Sequence, residues 1–256
     1  MPGIGQRDER CEQPLMQKMK FRGFKLFYEN RDATDSMVRQ CEEFPSFFTP
    51  ADDRPMIIDC GANIGVSMLE WKSRWPGARM LCFEPDPFAF RILVQNVEAN
   101  DIPGVRCINA ALSDDEQPAV LYGDIAARGD ARGNSIDPAW GARAGSVQAP
   151  VRCQRLSTYL AQQEVAFLKL DIEGAEQRVL AESASQLHRV QAIYVEVHET
   201  TDSRHRNSAA AIHAILDAAG FNIEADARYA DHALPSHLHS WQVAVGASQT
   251  QLMGWR

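Results

Sequence analysis

Met56-Ile57-Ile58-Asp59-Cys60-Gly61-Ala62-Asn63-Ile64-Gly65 is the stretch from which the fold is read. A short β-rich run ends in an acid and passes through two glycines into a segment where Ile64, Met68, Trp71 and Trp75 recur at helical spacing. Glycines at a strand-to-helix turn permit both a tight bend and close backbone approach by a ligand. Pro76-Gly77 then stops the helix, and a second strand runs from Arg79 to Glu84. Pro85-Asp86-Pro87 opens the next helix, with Phe90, Leu93 and Val97 on one face, before a third strand from Val105 to Ala110.

The alternation continues. The near-continuous apolar run Val165 to Leu170 reads as a buried strand with the polar tip Asp171-Ile172-Glu173-Gly174. Ala175, Val179 and Leu180 continue as a helix, Ala192 to Val197 form a fifth strand, and Ala209, Ile212, Leu216 and Ala219 mark another amphipathic helix. Phe221 to Ala225 and Trp241 to Gly246 are expected to close the sheet as an antiparallel pair at one edge. Strands alternating with helices make this an α/β fold, a Rossmann-like sheet of about seven mostly parallel strands with helices on both faces. Residues 54–256 are read as one domain carrying an inserted loop or hairpin over 113–150, and residues 1–53 as an extension. Its aromatic segment Phe21 to Tyr28 either fills the sheet's flank or acts as a lid over the site.

Bulk properties narrow the function. The 256 residues carry a formal charge of −8 with no run of Lys and Arg, which disfavours nucleic acid. No stretch approaches the roughly 18 apolar residues of a membrane helix, and the first twenty residues hold no apolar signal core, so the cytoplasm is the expected location. Six cysteines show no zinc spacing and read as free thiols, with Cys60, Cys82 and Cys107 in strand-like runs. His232, His237 and His239 gather near Pro235 without the short spacing of a zinc site and read as an edge loop.

The glycine loop departs from the dinucleotide pattern, because Asn63 and Val66 stand where its second and third glycines belong. Glu84, 23 positions after Gly61, ends the second strand, where a carboxylate accepts the two hydroxyls of a ribose. An adenosine ligand without phosphates suits both features. At the opposite tips Asp171 and Glu173 converge with Glu196 and His198 on the carboxyl edge of the sheet. His198, with a reference pKa near 6.5, is the first candidate for a general base. Asp171 with Glu196 offers a weaker alternative, a Mg²⁺ site, and metal dependence stays open.

The runs IIDCGANIGVS (57–67), FEPDP (83–87), VRCINAALSDD (105–115), FLKLDIEGAEQRVL (167–180) and IYVEVHE (193–199) together resemble the FkbM family of S-adenosylmethionine-dependent methyltransferases, over roughly residues 50–246. The resemblance implies a class I methyltransferase fold and methyl transfer to a hydroxyl of a sugar, polyketide or other natural product. It also implies that Asp59, Gly61, Asn63 and Gly65 surround the methionine part of the cofactor and that Glu84 holds its ribose. Asn109, Ala110 and Ala111 would border the adenine, and Lys169, Asp171 and Glu173 would line the reaction centre. An N-methyltransferase on the same fold and, more distantly, an NAD-dependent oxidoreductase are the competing readings. The expected partner is a small-molecule acceptor; the oligomeric state stays open, a homodimer included.

Overall fold

The computed structural model describes residues 16–123, 133–140, 145–228 and 246–256. Its centre is a seven-stranded sheet. In chain order the strands are β3 (Met56–Cys60), β4 (Arg79–Phe83), β5 (Val105–Ile108), β10 (Val165–Leu170), β11 (Val190–Glu199), β12 (Asn222–Arg228) and β13 (Ser248–Trp255). They lie side by side as β12-β13-β11-β10-β3-β4-β5. β3, β4, β5, β10 and β11 pair in parallel, while β13 runs against both β11 and β12. The chain leaves β3 towards β4 and β5, then returns to its other side at β10. The β3/β10 boundary is therefore the switch point, where open α/β sheets hold their ligands.

The antiparallel strand is displaced from its expected place. It runs from Ser248 to Trp255, one strand in from the edge; Gly246 lies in a turn, and 241–245, like His232, His237 and His239, fall outside the described residues. The third strand ends earlier than the sequence suggests, whereas β11 runs on to Glu199. β5 stops at Ile108, where the Ala110 N–H turns back to the Ile108 carbonyl (3.0 Å), and Ala111–Leu112 forms a separate short strand, β6, beside β9 (Cys153–Gln154).

Alternation along each strand builds two cores. Ile58, Leu81, Phe83, Leu168, Leu170, Ile193 and Val195 face α4 (Leu156–Leu160), α5 (Glu176–Ser183) and α6 (Ala209–Ala218), whose Leu160, Val179, Leu180, Ile212 and Leu216 complete that layer. Ile57, Met80, Cys82, Phe167 and Tyr194 face the other way, towards α2 (Val66–Arg74) and α3 (Pro87–Glu98). β3 and β10 are buried throughout, as parallel strands covered on both faces must be. Period two then fixes the polar tips. Asp59, Lys169 and Glu196 share the face of Ile57, Phe167 and Tyr194, and Lys169 stands opposite Asp59 in register.

The N-terminal segment joins the second core. Strands β1 (Gln17–Phe21) and β2 (Phe24–Tyr28) form a hairpin whose Phe21, Leu26 and Tyr28 are buried. Asn96 on α3 clamps it, accepting from the Phe27 N–H (2.7 Å) and donating to the carbonyls of Phe27 (3.0 Å) and Ile64 (2.8 Å). Helix α1 (Arg31–Glu42) follows, and Phe44, Phe47 and Phe48 pack on Trp71, Phe167 and Tyr194. The aromatic extension thus fills a flank, and one residue of α1 also reaches the sheet's rim, as shown below.

Part of the insertion is a hairpin, β7 (Ala119–Gly123) with β8 (Val147–Val151). Among the described residues Cys41, Cys60, Cys82, Cys107 and Cys153 are free thiols, and burial raises the pKa of each, as fits small core hydrophobes. No described helix is long and apolar enough to cross a membrane.

Candidate active site

The loop between β3 and α2 is shaped by three left-handed residues: Gly61 (φ +81°), Asn63 (φ +48°) and Gly65 (φ +92°). The first cannot be replaced. A Cβ on Gly61 would lie 1.8 Å from the Asp171 carbonyl oxygen, so the loop leans on the tip of β10 with no room between them. Gly61→Ala is expected to cost about 4 kcal/mol or more through backbone strain and overlap. The fall in melting temperature measures it; an unchanged melt would contradict this packing. Asn63, a residue type that tolerates left-handed backbone, turns its N–H onto Glu84 Oε2 (2.8 Å).

Glu84 is 6% exposed. Its Oε1 accepts from the Asp86 N–H (2.8 Å), so each oxygen is fixed by one backbone donor and keeps a lone pair for another. Burial pushes this carboxyl up to about 8, the nearby Asp86 charge adds to the rise, and the two N–H bonds oppose it. Asn109 Nδ2 donates to the carbonyls of Glu84 (2.9 Å) and Pro85 (3.2 Å), bracing the β4 tip. Ala110 and Ala111 are buried behind it. Asp86, also buried, caps α3 through the Phe88 N–H and accepts from Asn134 Nδ2 (2.9 Å), a partner brought by the insertion.

Asp59, fully buried, accepts from Ser67 Oγ on α2 (2.6 Å) and lies 3.5 Å from Lys169 Nζ. The same ammonium reaches Asp171 Oδ2 (3.1 Å) and the Gly61 carbonyl (3.2 Å). Burial alone would lower its pKa, but Asp171, Asp59 and Glu196 outweigh burial and raise it, so Lys169 is a permanent cation that ties the glycine loop to β10.

Beyond it His198, 5% exposed, sits among carboxylates: Nδ1 is 3.3 Å from Glu176, and Nε2 is 3.5 Å from Glu173 and 3.6 Å from Glu196. Burial disfavours the charged imidazole, yet Glu173, Glu176 and Glu196 overcome it and hold the pKa well above the usual value. The surrounding acids thus favour the charged imidazolium of His198, the sequence's first candidate for the base. Glu173 stands beside it. Burial raises its carboxyl to about 7, with His198 pulling the other way and Asp171, Glu196 and Glu176 adding to the rise. Its backbone is left-handed (φ +59°), and its carbonyl accepts from Ser135 Oγ (2.5 Å).

The supporting residues come from distant parts of the chain. Glu176, at the start of α5, is fully buried and accepts from the Gly174 N–H (3.0 Å) and Asn207 Nδ2 (2.6 Å). Glu196 Oε2 accepts from Tyr194 Oη (2.9 Å) and from Gln40 of α1 (2.8 Å), while Gln249 of β13 donates to its Oε1. Of these, Glu176 lies within the quoted 167–180 run but had no assigned role; Gln40, Asn134, Asn207 and Gln249 carry no motif that marks them. Asp171, Glu196 and His198 each offer one metal-ligating atom within 4.8 Å of the others. Lys169 Nζ already lies 3.1 Å from Asp171, so a metal at this acid would compete with the ammonium.

Against known proteins, the Methyltransferase FkbM domain matches residues 59–223. The chain belongs to the FkbM methyltransferase family. Methyltransferase sdnD of Sordaria araneosa is 30% identical over 207 residues, covering 67% of this chain and 75% of that protein. The 2-O-methyltransferase NoeI of Sinorhizobium fredii is 28% identical over 157 residues, 56% of this chain and 63% of the relative. In the solved structures, methyltransferase FkbM from Methylobacillus flagellatus superposes with a TM-score of 0.50 at 14% identity, over 89% of this chain and 56% of the other, which shows the shared class I methyltransferase fold. In this methyltransferase the glycine loop and Glu84 sit on one side of the switch point and the acid–histidine cluster on the other.

Proposed function

We propose that this methyltransferase binds S-adenosylmethionine along the carboxyl rim of the sheet and transfers its methyl group to a hydroxyl of a small natural-product molecule. The observation that carries the reading is Glu84, a buried carboxylate at the tip of β4 with one lone pair per oxygen left after Asn63 and Asp86 are served. That is the acceptor pair a ribose diol requires. Gly61–Gly65 and the N-terminus of α2 would hold the methionine part, and Asp171, Glu173 and Glu196 would stand near the sulfonium, which supplies an electrophilic methyl.

The acceptor oxygen attacks the methyl carbon while the carbon–sulfur bond breaks and its electron pair stays on sulfur, leaving S-adenosylhomocysteine. The acceptor's proton passes to the Glu173 carboxylate, held against the His198 imidazolium. A neutral amine needs no such base, so the Glu173–His198 pair favours oxygen over nitrogen, in line with the relative NoeI being a 2-O-methyltransferase. Because Lys169 and His198 already provide the cations, activity is expected to survive EDTA and to gain nothing from Mg²⁺; loss on chelation with recovery on Mg²⁺ is the contrary result.

S-adenosylhomocysteine is expected to raise the melting temperature, since a ligand that binds only the native state stabilises it, and NADH is not. Its affinity should depend on pH with a definite sign. The diol donates, so it prefers the ionised carboxylate, and Glu84 ionises in the free protein only as pH rises through about 8. Affinity is expected to climb by up to ~10-fold per unit below that point and to level off above it. In the free protein the same proton is held between the ordinary value of 4.5 and about 8, so this group's contribution to stability is full below 4.5 and is lost as pH rises through about 8. Calorimetry across pH 6 to 9 checks the binding arm; Glu84→Gln should flatten the profile.

A further inference from the structure

Residues 133–140 of the insertion lie across the rim. Asn134 Nδ2 bonds Asp86 (2.9 Å), Ser135 Oγ bonds the Glu173 carbonyl (2.5 Å), and Asp137 accepts from Arg206 Nη2 (3.1 Å). The segment is thus pinned to the tips of β4 and β10 and to the turn that follows β11. At its end Trp140 is 7% exposed, with its ring centre 5.0 Å from the His198 ring in an edge-on contact. The approach depends on Gly174, where an added Cβ would come within 3.2 Å of the Trp140 Cβ. The indole N–H is buried and, among the described residues, has no hydrogen-bond partner. A tryptophan N–H normally finds one when buried, and leaving it unpaired costs free energy. Here the orphaned donor stands beside the residues that handle the acceptor's proton.

We infer that Trp140 binds the methyl acceptor, its indole N–H donating to an oxygen adjacent to the hydroxyl that faces Glu173. The inference rests on the methyltransferase reading above and deepens it. One donor and one base from neighbouring side chains ask for two oxygens on neighbouring carbons. Asp171, partly exposed at the rim, can accept from a further hydroxyl, and the indole covers apolar C–H surface. Together they select a ring bearing vicinal hydroxyls over an isolated phenol or alcohol. The arrangement also chooses between the two oxygens: the one accepting from the indole loses nucleophilicity, whereas the one giving its proton to Glu173 gains it.

Saturation-transfer NMR on protein loaded with S-adenosylhomocysteine tests this, using methyl α-D-glucopyranoside, its manno and galacto epimers, and cyclohexanol as a single-hydroxyl control. At least one glycoside is expected to bind, cyclohexanol is not, and Trp140→Phe should weaken that glycoside about tenfold, the worth of one hydrogen bond. S-adenosylhomocysteine affinity should stay unchanged, and Trp140→His, which restores a ring N–H, should recover part of the loss. Should the Phe variant fold poorly, the wild-type indole ¹⁵N–¹H resonance of Trp140 is expected to shift downfield when glycoside is added. The inference is overturned if no glycoside binds, if cyclohexanol binds as well as the glycosides, if Trp140→Phe keeps full affinity, or if the indole resonance does not move. Failure of S-adenosylhomocysteine itself to bind would instead remove the methyltransferase reading beneath it.

Discussion

Glu84→Ala is expected to lower the affinity for S-adenosylhomocysteine about 100-fold, or close to 3 kcal/mol, at a pH where the wild-type carboxylate is ionised. Two hydrogen bonds to a buried, charged acceptor disappear together. The substitution also releases the Asn63 and Asp86 N–H groups that Glu84 now holds at 2.8 Å each, so part of the loss comes from a looser glycine loop. Glu84→Gln separates the contributions, because it keeps the packing and one acceptor but no charge, and should fall between alanine and wild type. Titration calorimetry at pH 9 makes the comparison. An alanine variant within threefold of wild type would mean that the ribose is held elsewhere.

The second large effect is expected at Glu173. With Glu173→Gln the turnover of whichever hydroxyl acceptor the wild type uses should fall roughly 10³-fold, within the range for loss of a positioned base, while cofactor affinity is kept. The pH–rate profile should lose its rise through about 7, the value to which burial brings this carboxyl. His198→Ala is expected to act through Glu173, whose charge the imidazolium steadies at 3.5 Å. It should move the inflection upward before it lowers the plateau. A Gln variant that turns over at more than a tenth of the wild-type rate, with its inflection in place, would assign the proton to another group.

Much of this site is legible from one chain because period two and strand direction do the placing. Once β3, β4, β10 and β11 are read as buried strands, Asp59, Glu84, Lys169, Asp171, Glu196 and His198 all fall at their carboxyl ends. Their protonation states are another matter. The charge on His198 depends on Glu173, Glu176 and Glu196, three acids from two other elements and its own strand, and no local pattern encodes their distances. Trp140 was equally hidden, since the insertion has no periodicity and its contacts with Gly174 and His198 span 34 and 58 positions. The N-terminal segment resisted for a third reason: α1 buries only Ala33, Thr34 and Cys41, too few apolar positions to declare which face meets the protein, and its functional reach is the single polar contact from Gln40 to Glu196. The strand Ser248–Trp255 is hard to read from the sequence because its start, Ser248-Gln249-Thr250-Gln251, is polar.

The most direct test of the whole account is a crystal structure of the protein with S-adenosylhomocysteine. The account predicts the ribose diol on both oxygens of Glu84, the amino-acid part along Gly61–Gly65, and the sulfur turned towards Glu173 and His198 beneath Trp140. Density for the nucleoside on another edge of the sheet, or a sulfur pointing away from the acid–histidine cluster, would contradict it.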